Sequence, residues 1–434
     1  MSVRWMGSAS RPTAFSRRVV GPLVALLVIW WEVHCRAFSV MSKTEDHDLL
    51  LKLLKEERAR LETYMRTLRW PRLTHFQAFG KTYKLPLRSR LASKSPTAAE
   101  LAYLGGFFDG DGCVTPVTGL SGCKLQITQV AMNAEVLILF RQFFGGGVYV
   151  CEHGKGRKRP TLKWVVCGGK ARIAAKQLCQ ACLSKTEQLQ LASNWPDDKD
   201  ERQLVTSKLR GLKEGPPNIP TQSRLSWPYL TGLFDSDGCI SLHSCRASFT
   251  LRLDQKYKPL LLQSKAFLDL MLGTSHVHVN FVSVTGTYQL AVCGQKTVHA
   301  VLQKFLNAGL TVKKSKAELA LSLPENSEET IREQMSGITT TGNQGRHNKL
   351  DAEGRQLAKL IKGLQNRKWH AEKNDDSKLV EQLESKLECL QLHREIEKAK
   401  CCVHRLTEDI HKLVAQGAIS TKPHLAKMLG IDFN

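Results

Sequence analysis

The chain has 434 residues, which is long for one domain and sufficient for two or three. Its 63 lysines and arginines exceed its 40 acids by 63 − 40 = 23, and 42% of its residues are hydrophobic. This composition excludes a disordered basic tail and indicates a polyanionic partner, either nucleic acid or an anionic membrane surface. Thirteen scattered cysteines, an odd number, exclude a secreted disulfide framework and favour a reducing compartment.

Residues 1–37 have the composition of a targeting leader. The stretch "VVGPLVALLVIWW" is shorter than a comfortable membrane span but fits the apolar core of a signal sequence. The residues before it are basic, carry serines and include no acid. We therefore expect organelle targeting, with a plastid favoured and a mitochondrion as the alternative destination. A short membrane anchor is the competing interpretation.

Helical spacing of leucines predicts an N-terminal helix within 44–70. The next stretch, "LPLRSRLASKSPTAA", is predicted to be a basic linker. Its Ser95-Pro96-Thr97 sequence is typical of a helix start and opens the main body of the chain.

The main body contains an internal duplication. The stretch "YLGGFFDGDG" begins at Tyr103 and "YLTGLFDSDG" begins at Tyr229, a separation of 229 − 103 = 126 residues. Downstream landmarks recur at 126 or 128 residues, namely Gln129 and Gln255, Cys167 and Cys293, and Lys185 and Lys313. Several matches in one register predict two copies of a domain, over 95–196 and 225–325, joined by a linker at 197–224.

Each copy has the same predicted element order, which is a motif helix, two strands, a helix, two strands and a helix. The expected fold class is α+β, with two pseudo-symmetric αββαββα repeats and helical extensions at both ends. Each repeat is expected to form a four-stranded antiparallel sheet with its helices on one face, so the open face is free to meet a partner.

Basic residues mark both predicted sheets, and a strand ribbon of this kind fits the major groove of DNA. The "HGKGRKRP" loop of the first repeat is the strongest candidate for phosphate contacts. Solvated basic edges that deter sheet aggregation are the alternative interpretation. The candidate DNA-binding residues are Lys124, Lys155, Arg157, Lys158, Arg159, Lys163, Arg246 and Arg252.

The two motif helices end in carboxylates, where the helix dipole is negative and cations are preferred. Small residues at Ala102, Gly106 and Gly232 predict that the two helices pack closely on each other. Their carboxyl ends then converge, and Asp111 and Asp237 lie close together. Two carboxylates at two negative helix ends need divalent cations, and oxygen ligands suit Mg²⁺.

Both motifs resemble those of the LAGLIDADG homing endonucleases, and the resemblance covers about residues 97–325. It implies a two-motif, single-chain endonuclease whose sheets face DNA and whose last motif acids, Asp111 and Asp237, hold Mg²⁺ or Mn²⁺. The carbonyls of Gly110 and Ser236 are further candidate metal ligands. Asp109 and Asp235 are expected to brace the helix ends instead.

The resemblance also implies polar residues and lysines around the hydrolytic water. They match Gln129, Gln255, Lys185 and Lys313, although Lys314 and Lys316 leave the last match ambiguous. The function implied is metal-dependent hydrolysis of phosphodiester bonds in duplex DNA at an asymmetric target. The alternatives are an RNA-binding maturase that assists intron splicing on the same fold, and a non-catalytic adaptor.

The C-terminal part lies outside the resemblance. Residues 336–350 are predicted to be a polar linker, and 351–416 a helical extension. Seven apolar residues in that extension step 4-3-4-3-4-3, which is heptad spacing; they are Leu392, Ile396, Ala399, Val403, Leu406, Ile410 and Leu413. Self-association through these heptads and an intramolecular helical hairpin with the 353–369 helix or the N-terminal helix are both compatible with the pattern.

Overall fold

The computed structural model describes residues 45–117, 122–219, 225–242, 248–273, 276–322, 330–332, 334–335 and 352–421. The leader, the polar linker at 336–350 and Arg246 lie outside the described residues, so those three expectations stay predictions. Within the described part of the chain, no helix is both long and apolar enough to cross a bilayer. The chain divides into two compact units, Arg69–Asn348 and Met1–Leu68 with Lys349–Asn434.

The elements are numbered in chain order. Helices α1 to α12 are Glu45–Thr67, Ala98–Asp111, Ala134–Phe144, Gly169–Leu178, Thr186–Ser193, Lys199–Glu214, Trp227–Asp237, Lys258–Leu272, Gln295–Asn307, Lys314–Leu321, Ala352–Lys373 and Ser377–Ala415. Strands β1 to β13 are Leu68–Arg69, His75–Ala78, Lys81–Lys84, Leu87–Arg90, Gly112–Pro116, Cys123–Val130, Gly146–Glu152, Thr161–Cys167, Gly238–Leu242, Phe249–Gln255, Val277–Val282, Thr287–Val292 and Ile419–Ser420. The α+β class with antiparallel sheets is confirmed.

In the 69–348 unit, the first sheet has five strands in the order β4-β7-β8-β6-β5. Alternate residues of each strand point to opposite faces, so Leu125, Ile127 and Trp164 are buried under the helices. Lys124 and Lys163 lie at the intervening positions on the other face. The expected separation of an apolar face from a polar, open face is therefore present in this sheet.

The second sheet has four strands in the order β11-β12-β10-β9. Its buried face carries Leu251, Leu253 and Leu290, which pack in a second apolar core. The same element order of helix, two strands, helix, two strands and two helices runs through 98–193 and 227–321.

The predicted basic linker after the N-terminal helix is wrong. Leu87–Arg90 forms β4, which pairs with β7 and adds a fifth strand to the first sheet. Residues 75–84 form the β2–β3 hairpin, and its Phe76 is buried in the first core. Leu85 and Leu87 also pack in or against this core, and these apolar anchors are interspersed with the charges that dominated the sequence pattern.

The motif helix α2 begins at the predicted Ser95-Pro96-Thr97 start, and both motif helices have a side-chain cap. Thr97 caps α2 in a capping box with Glu100, and the Ser226 hydroxyl accepts a hydrogen bond from the Tyr229 amide at the start of α7. Both helices are buried along most of their length and pack directly on each other. This pairing joins the two halves of the 69–348 unit.

In the other unit, the heptad residues of α12 pack within the chain. Ile396 and Ala399 contact Leu54 of α1, and Leu383 and Leu387 contact Ile361 of α11. Both intramolecular partners allowed by the sequence are therefore used, by successive parts of one 39-residue helix. Self-association through the heptads stays a prediction.

Candidate active site

The crossing of α2 and α7 is held at short range by two glycines. A β-carbon on Gly106 would overlap the carbonyl oxygen of Tyr229 and lie 2.9 Å from the amide nitrogen of Leu233. The matching β-carbon on Gly232 would overlap the carbonyl oxygen of Tyr103. Ala102, the third small residue singled out in the sequence, is half-buried and packs against the second core. The helix backbones approach this closely only because both crossing positions lack a side chain.

Asp111 and Asp237 are the last residues of α2 and α7, so the helix crossing brings them together. The Gln129 side-chain amide donates to Asp111 Oδ2, and the Gln255 amide donates to Asp237 Oδ2 at 2.7 Å. Both glutamines lie near the ends of their strands, on the side that faces the helices. Each donor orients one carboxylate and leaves its other oxygen available.

The first acid of each motif has a different environment. Asp109 accepts hydrogen bonds from the backbone amides of 183–185 and from the hydroxyl of Tyr229, at 2.6 to 3.2 Å. Asp235 accepts from the amides of 311–313 and from the hydroxyl of Tyr103, at 2.6 to 3.0 Å. Asp109 therefore links the 183–185 loop of the first half to α7, and Asp235 links the 311–313 loop of the second half to α2. Both acids have a structural role.

Lys185 and Lys313 close the carboxyl ends of the motif helices. The Lys185 ammonium donates to the carbonyls of Phe108, Gly110 and Gly112 at 2.9, 2.8 and 2.6 Å. The Lys313 ammonium donates to the carbonyls of Asp235 and Ser236. These cations offset the negative ends of the two helices, where the sequence placed only carboxylates. Lys314 instead lies within 3.9 Å of Glu318, so Lys313 is the residue that matches Lys185.

The electrostatics of the site favour neutral forms of the buried groups. Burial, reinforced by the charge of Asp237, raises the pKa of Asp111 to about 6. Burial also raises the pKa of Asp237, while the nearby Lys185 opposes this shift. Burial lowers the pKa of Lys185 and of Lys313. Since Asp111 and Asp237 destabilise each other's charge, a bound cation between them would be stabilised.

The residues present fit a hard divalent cation. The described residues contain no group of three or more His, Cys, Asp or Glu side chains placed to hold a metal. Asp111 and Asp237 would be the charged ligands of such a cation, and two carboxylates suit Mg²⁺, which commonly completes its shell with water and substrate phosphates. The carbonyls of Gly110 and Ser236 each accept a lysine hydrogen bond and retain one lone pair for a further contact.

The candidate DNA-binding residues of the strands lie on the open faces of the sheets. Lys124 pairs in register with Cys167, and Lys163 pairs with Thr128, all on the face opposite the first core. Arg252 is exposed on β10 between the buried Leu251 and Leu253.

The candidate phosphate-contact loop is held in place rather than projecting as an unanchored tip. Lys155 and Lys158 exchange two backbone hydrogen bonds of 2.9 Å, and the Trp70 indole donates to the Gly156 carbonyl at 2.8 Å. Lys155, Arg157 and Lys158 are exposed, whereas Arg159 is half-buried and its guanidinium contacts the Met132 sulfur.

Sequence reasoning missed the roles of two tyrosines and one acid of this region, and it named Lys316 only as an alternative to Lys313. Tyr103 and Tyr229 were visible as the first residue of both motifs, an identical match that carries the cross-helix hydrogen bonds. Asp254 raises the pKa of Asp237, and Lys316 approaches Lys313. These last two have no counterpart at the matching positions of the first half, which are Thr128 and Gln188, so a search for repeated residues could not find them.

We expect Asp111 to contribute a loss of stability as pH rises from about 4 to about 6 in the protein without divalent cations. Below the ordinary carboxyl pKa of 3.8, Asp111 is protonated in both folded and unfolded chains. Between that value and a folded pKa of about 6, only the folded chain holds the proton, so raising the pH favours unfolding, by up to about 3 kcal/mol in total. Denaturant unfolding in EDTA across this range measures the slope. Asp111→Asn should remove the part of the pH dependence that Asp111 contributes. If the unfolding free energies of the two proteins changed in parallel with pH, the raised pKa of Asp111 would be contradicted.

A scan against protein-family models finds no match, and neither does a comparison with curated proteins. Solved structures that resemble the chain include LAGLIDADG homing endonucleases.

One is the homing endonuclease I-GzeII in complex with its DNA target, with a TM-score of 0.41 and 13% identity over 55% of this chain and 96% of that chain. Another is the meganuclease I-SmaMI bound to uncleavable DNA, with a TM-score of 0.41 and 13% identity over 57% of this chain and 100% of that chain. A third is the meganuclease I-AabMI bound to uncleaved DNA, with a TM-score of 0.39 and 16% identity over 56% of this chain and 94% of that chain.

Proposed function

We propose that the protein is a site-specific endonuclease that uses Mg²⁺, or Mn²⁺ in its place, to hydrolyse phosphodiester bonds in duplex DNA. The observation that carries the proposal is the convergence of Asp111 and Asp237 at the crossing of two helices, in a unit whose first sheet carries Lys124 and Lys163 on its open face. The two halves act as pseudo-symmetric repeats, one for each DNA strand. Because their exposed charges differ, the expected target is asymmetric.

When bound, the divalent cation supplies an activated water and stabilises charge on the leaving oxygen. Asp111 and Asp237 would hold it, since they are the carboxylates that end the two helices at the crossing. Gln129 and Gln255 keep each carboxylate in one orientation through their side-chain amides. Mutual repulsion of the carboxylates is then relieved on binding, which favours the loaded state of the site.

Lys185 and Lys313 differ in the donors they can offer to a reacting group. Among the described residues, the Lys185 ammonium donates to three backbone carbonyls, two in the motif helix and one at Gly112, whereas the Lys313 ammonium donates to two. We expect Lys313 to have one hydrogen left for a water or a phosphate oxygen, and Lys185 to release a carbonyl first. This difference favours unequal rates of cleavage on the two strands.

DNA is bound by the open faces of the sheets and by the 153–160 loop. Lys124, Lys163 and Arg252 lie on these faces, where strand side chains can reach base edges or phosphates of a major groove. The exposed cations of the loop add contacts to phosphates. These contacts position the scissile bonds over the carboxylate pair.

The full-length protein tests the proposal in a selection from a library of random duplexes, with cleaved products sequenced after incubation in Mg²⁺, Ca²⁺ or EDTA. We expect one long, asymmetric site to be cut in Mg²⁺ and bound without cutting in Ca²⁺. Binding to intron RNA with no enrichment of any duplex would establish the maturase alternative instead. Neither binding nor cleavage of any nucleic acid would leave the adaptor interpretation.

Neutralising the exposed cations of the 153–160 loop should flatten the salt dependence of DNA affinity. Replacing Lys155, Arg157 and Lys158 by Gln removes up to three phosphate contacts, each of which releases a counterion. The slope of log K against log salt should fall by up to about three times 0.9. Fluorescence anisotropy over a salt series measures it, and an unchanged slope would show that the loop does not contact DNA.

A further inference from the structure

A strongly basic segment precedes the first motif helix. Residues 69–94, here called the N-terminal arm, contain seven cations and no acid. The cations are Arg69, Arg72, Lys81, Lys84, Arg88, Arg90 and Lys94. The arm includes β2, β3 and β4, so this charge belongs to ordered structure.

The arm is fixed to the first half of the 69–348 unit at three places. Phe76 and Ala78 of the β2–β3 hairpin are buried in the first core. Leu87 of β4 pairs with Val148, so the arm continues the first sheet beyond β7. Trp70 is buried and donates to the carbonyl of Gly156, in the same loop that carries the candidate phosphate contacts.

The cations of the arm are exposed and mostly lack acidic partners. All seven are exposed, and Lys94 pairs with Glu100 at 3.3 Å. Among the described residues, the other six have no carboxylate within salt-bridge distance. Six exposed cations without acidic partners are available to a polyanion, which would complement their charge.

The need to protect a free sheet edge from pairing with another chain explains only some of the cations in the arm. Arg88 and Arg90 lie on the edge strand β4, where cations deter pairing with another chain. Lys81 and Lys84 lie on a separate two-stranded hairpin, and Arg69 and Arg72 precede it. These four positions gain nothing from edge protection of the five-stranded sheet.

We propose that the N-terminal arm is an additional binding surface for the phosphates of duplex DNA, which lengthens the site on the side of the first half. The inference rests on the proposed function, since it assumes that the first sheet faces DNA. Its supports are charge complementarity, continuity of β4 with that sheet, and the contact of Trp70 with the phosphate-contact loop. Among the described residues, the second sheet has four strands and no added strand of this kind, so we expect an unequal footprint about the cleavage site.

The test replaces Lys81, Lys84, Arg88 and Arg90 by Gln in the full-length protein. The slope of log K against log salt should fall by up to about four times 0.9, and hydroxyl-radical protection should shorten on one flank only. The matched control replaces Lys52, Lys55, Lys359 and Lys362, which are exposed on the helical unit and change the net charge equally, from 23 to 23 − 4 = 19.

The control should keep the wild-type slope and footprint. The proposal is overturned if the arm variant also keeps the wild-type slope and footprint. It is overturned as well if the slope of log K against log salt falls equally in both variants, because the effect would then reflect net charge. If the wild-type protein binds and cleaves DNA but the arm variant has the wild-type salt slope and footprint, this inference alone is wrong and the proposed function stands. A wild-type protein that binds no duplex would overturn the proposed function together with it.

Discussion

Replacing Asp111 or Asp237 by Asn is expected to abolish double-strand cleavage while DNA binding survives. Each substitution removes one of the two charged ligands at the helix crossing. Stabilisation by a catalytic metal is worth several kcal/mol, so its loss corresponds to about a thousandfold fall in the cleavage rate. The proposed DNA-binding surfaces are the sheets and the 153–160 loop, which neither substitution touches. Plasmid cleavage assays, with anisotropy for binding, measure the two effects separately.

The neighbouring motif acids provide the control for this prediction. Asp111→Asn relieves repulsion between carboxylates, so the folded protein should be no less stable. Asp109→Asn instead places a side-chain NH2 group, which cannot accept hydrogen bonds, among the backbone amides and the Tyr229 hydroxyl that donate to Asp109. This substitution should destabilise the fold by about 1–3 kcal/mol. Asp200→Asn, an exposed acid on α6, should change neither property. Normal cleavage by the Asp111 variant would overturn the site assignment.

Placing a β-carbon at Gly106 or Gly232 is expected to damage both stability and cleavage, with cleavage affected more. In Gly106→Ala the new carbon overlaps the Tyr229 carbonyl, and in Gly232→Ala it overlaps the Tyr103 carbonyl. Neither obstacle is a flexible side chain, so the helices must move apart, at a cost of about 1–3 kcal/mol. The same movement separates Asp111 from Asp237. Thermal unfolding and single-turnover cleavage measure the two consequences.

A glycine in open space is the matched control for the crossing. Gly211 lies within α6 of the same unit, and a β-carbon there would meet no atom within 4 Å. Gly211→Ala should therefore stabilise the protein by about 0.5–1 kcal/mol, the usual gain of replacing glycine within a helix. If Gly106→Ala behaved like Gly211→Ala, the close crossing of α2 and α7 would be refuted.

Much of the candidate site could be predicted because its signals are local and occur twice. The small residues and the paired acids of each motif lie on one helix, and their repetition at 126 residues separates them from chance. The alternation of apolar and polar residues along β6 and β8 is equally local, and it separates Lys124 and Lys163 from the buried face of the sheet. Patterns of this kind depend only on the geometry of a single helix or strand.

Partners brought together by folding were harder to predict. The sequence posed the problem of carboxylates at negative helix ends, and the structure answers part of it with Lys185 and Lys313, which lie more than 70 residues from the carbonyls they contact. It also separates the roles of Asp109 and Asp111, two residues apart in one motif. Neither distinction is encoded in spacing, because each depends on which loop packs on the helix end.

The C-terminal extension and the N-terminal arm show the same difference between what local patterns predict and what packing adds. Heptad spacing by itself determined that α12 has an apolar stripe, but the stripe fits a second chain or a helix of its own chain equally well. In the folded chain, Leu54 of α1 packs on Ile396 and Ala399 of this stripe, and α11 packs on Leu383 and Leu387, which precede it. In the N-terminal arm the sequence determined the charge, while pairing with the free edge of β7 decided that Leu87–Arg90 is a strand. A short strand acquires its hydrogen bonds only from a distant neighbour, and no local pattern supplies that neighbour.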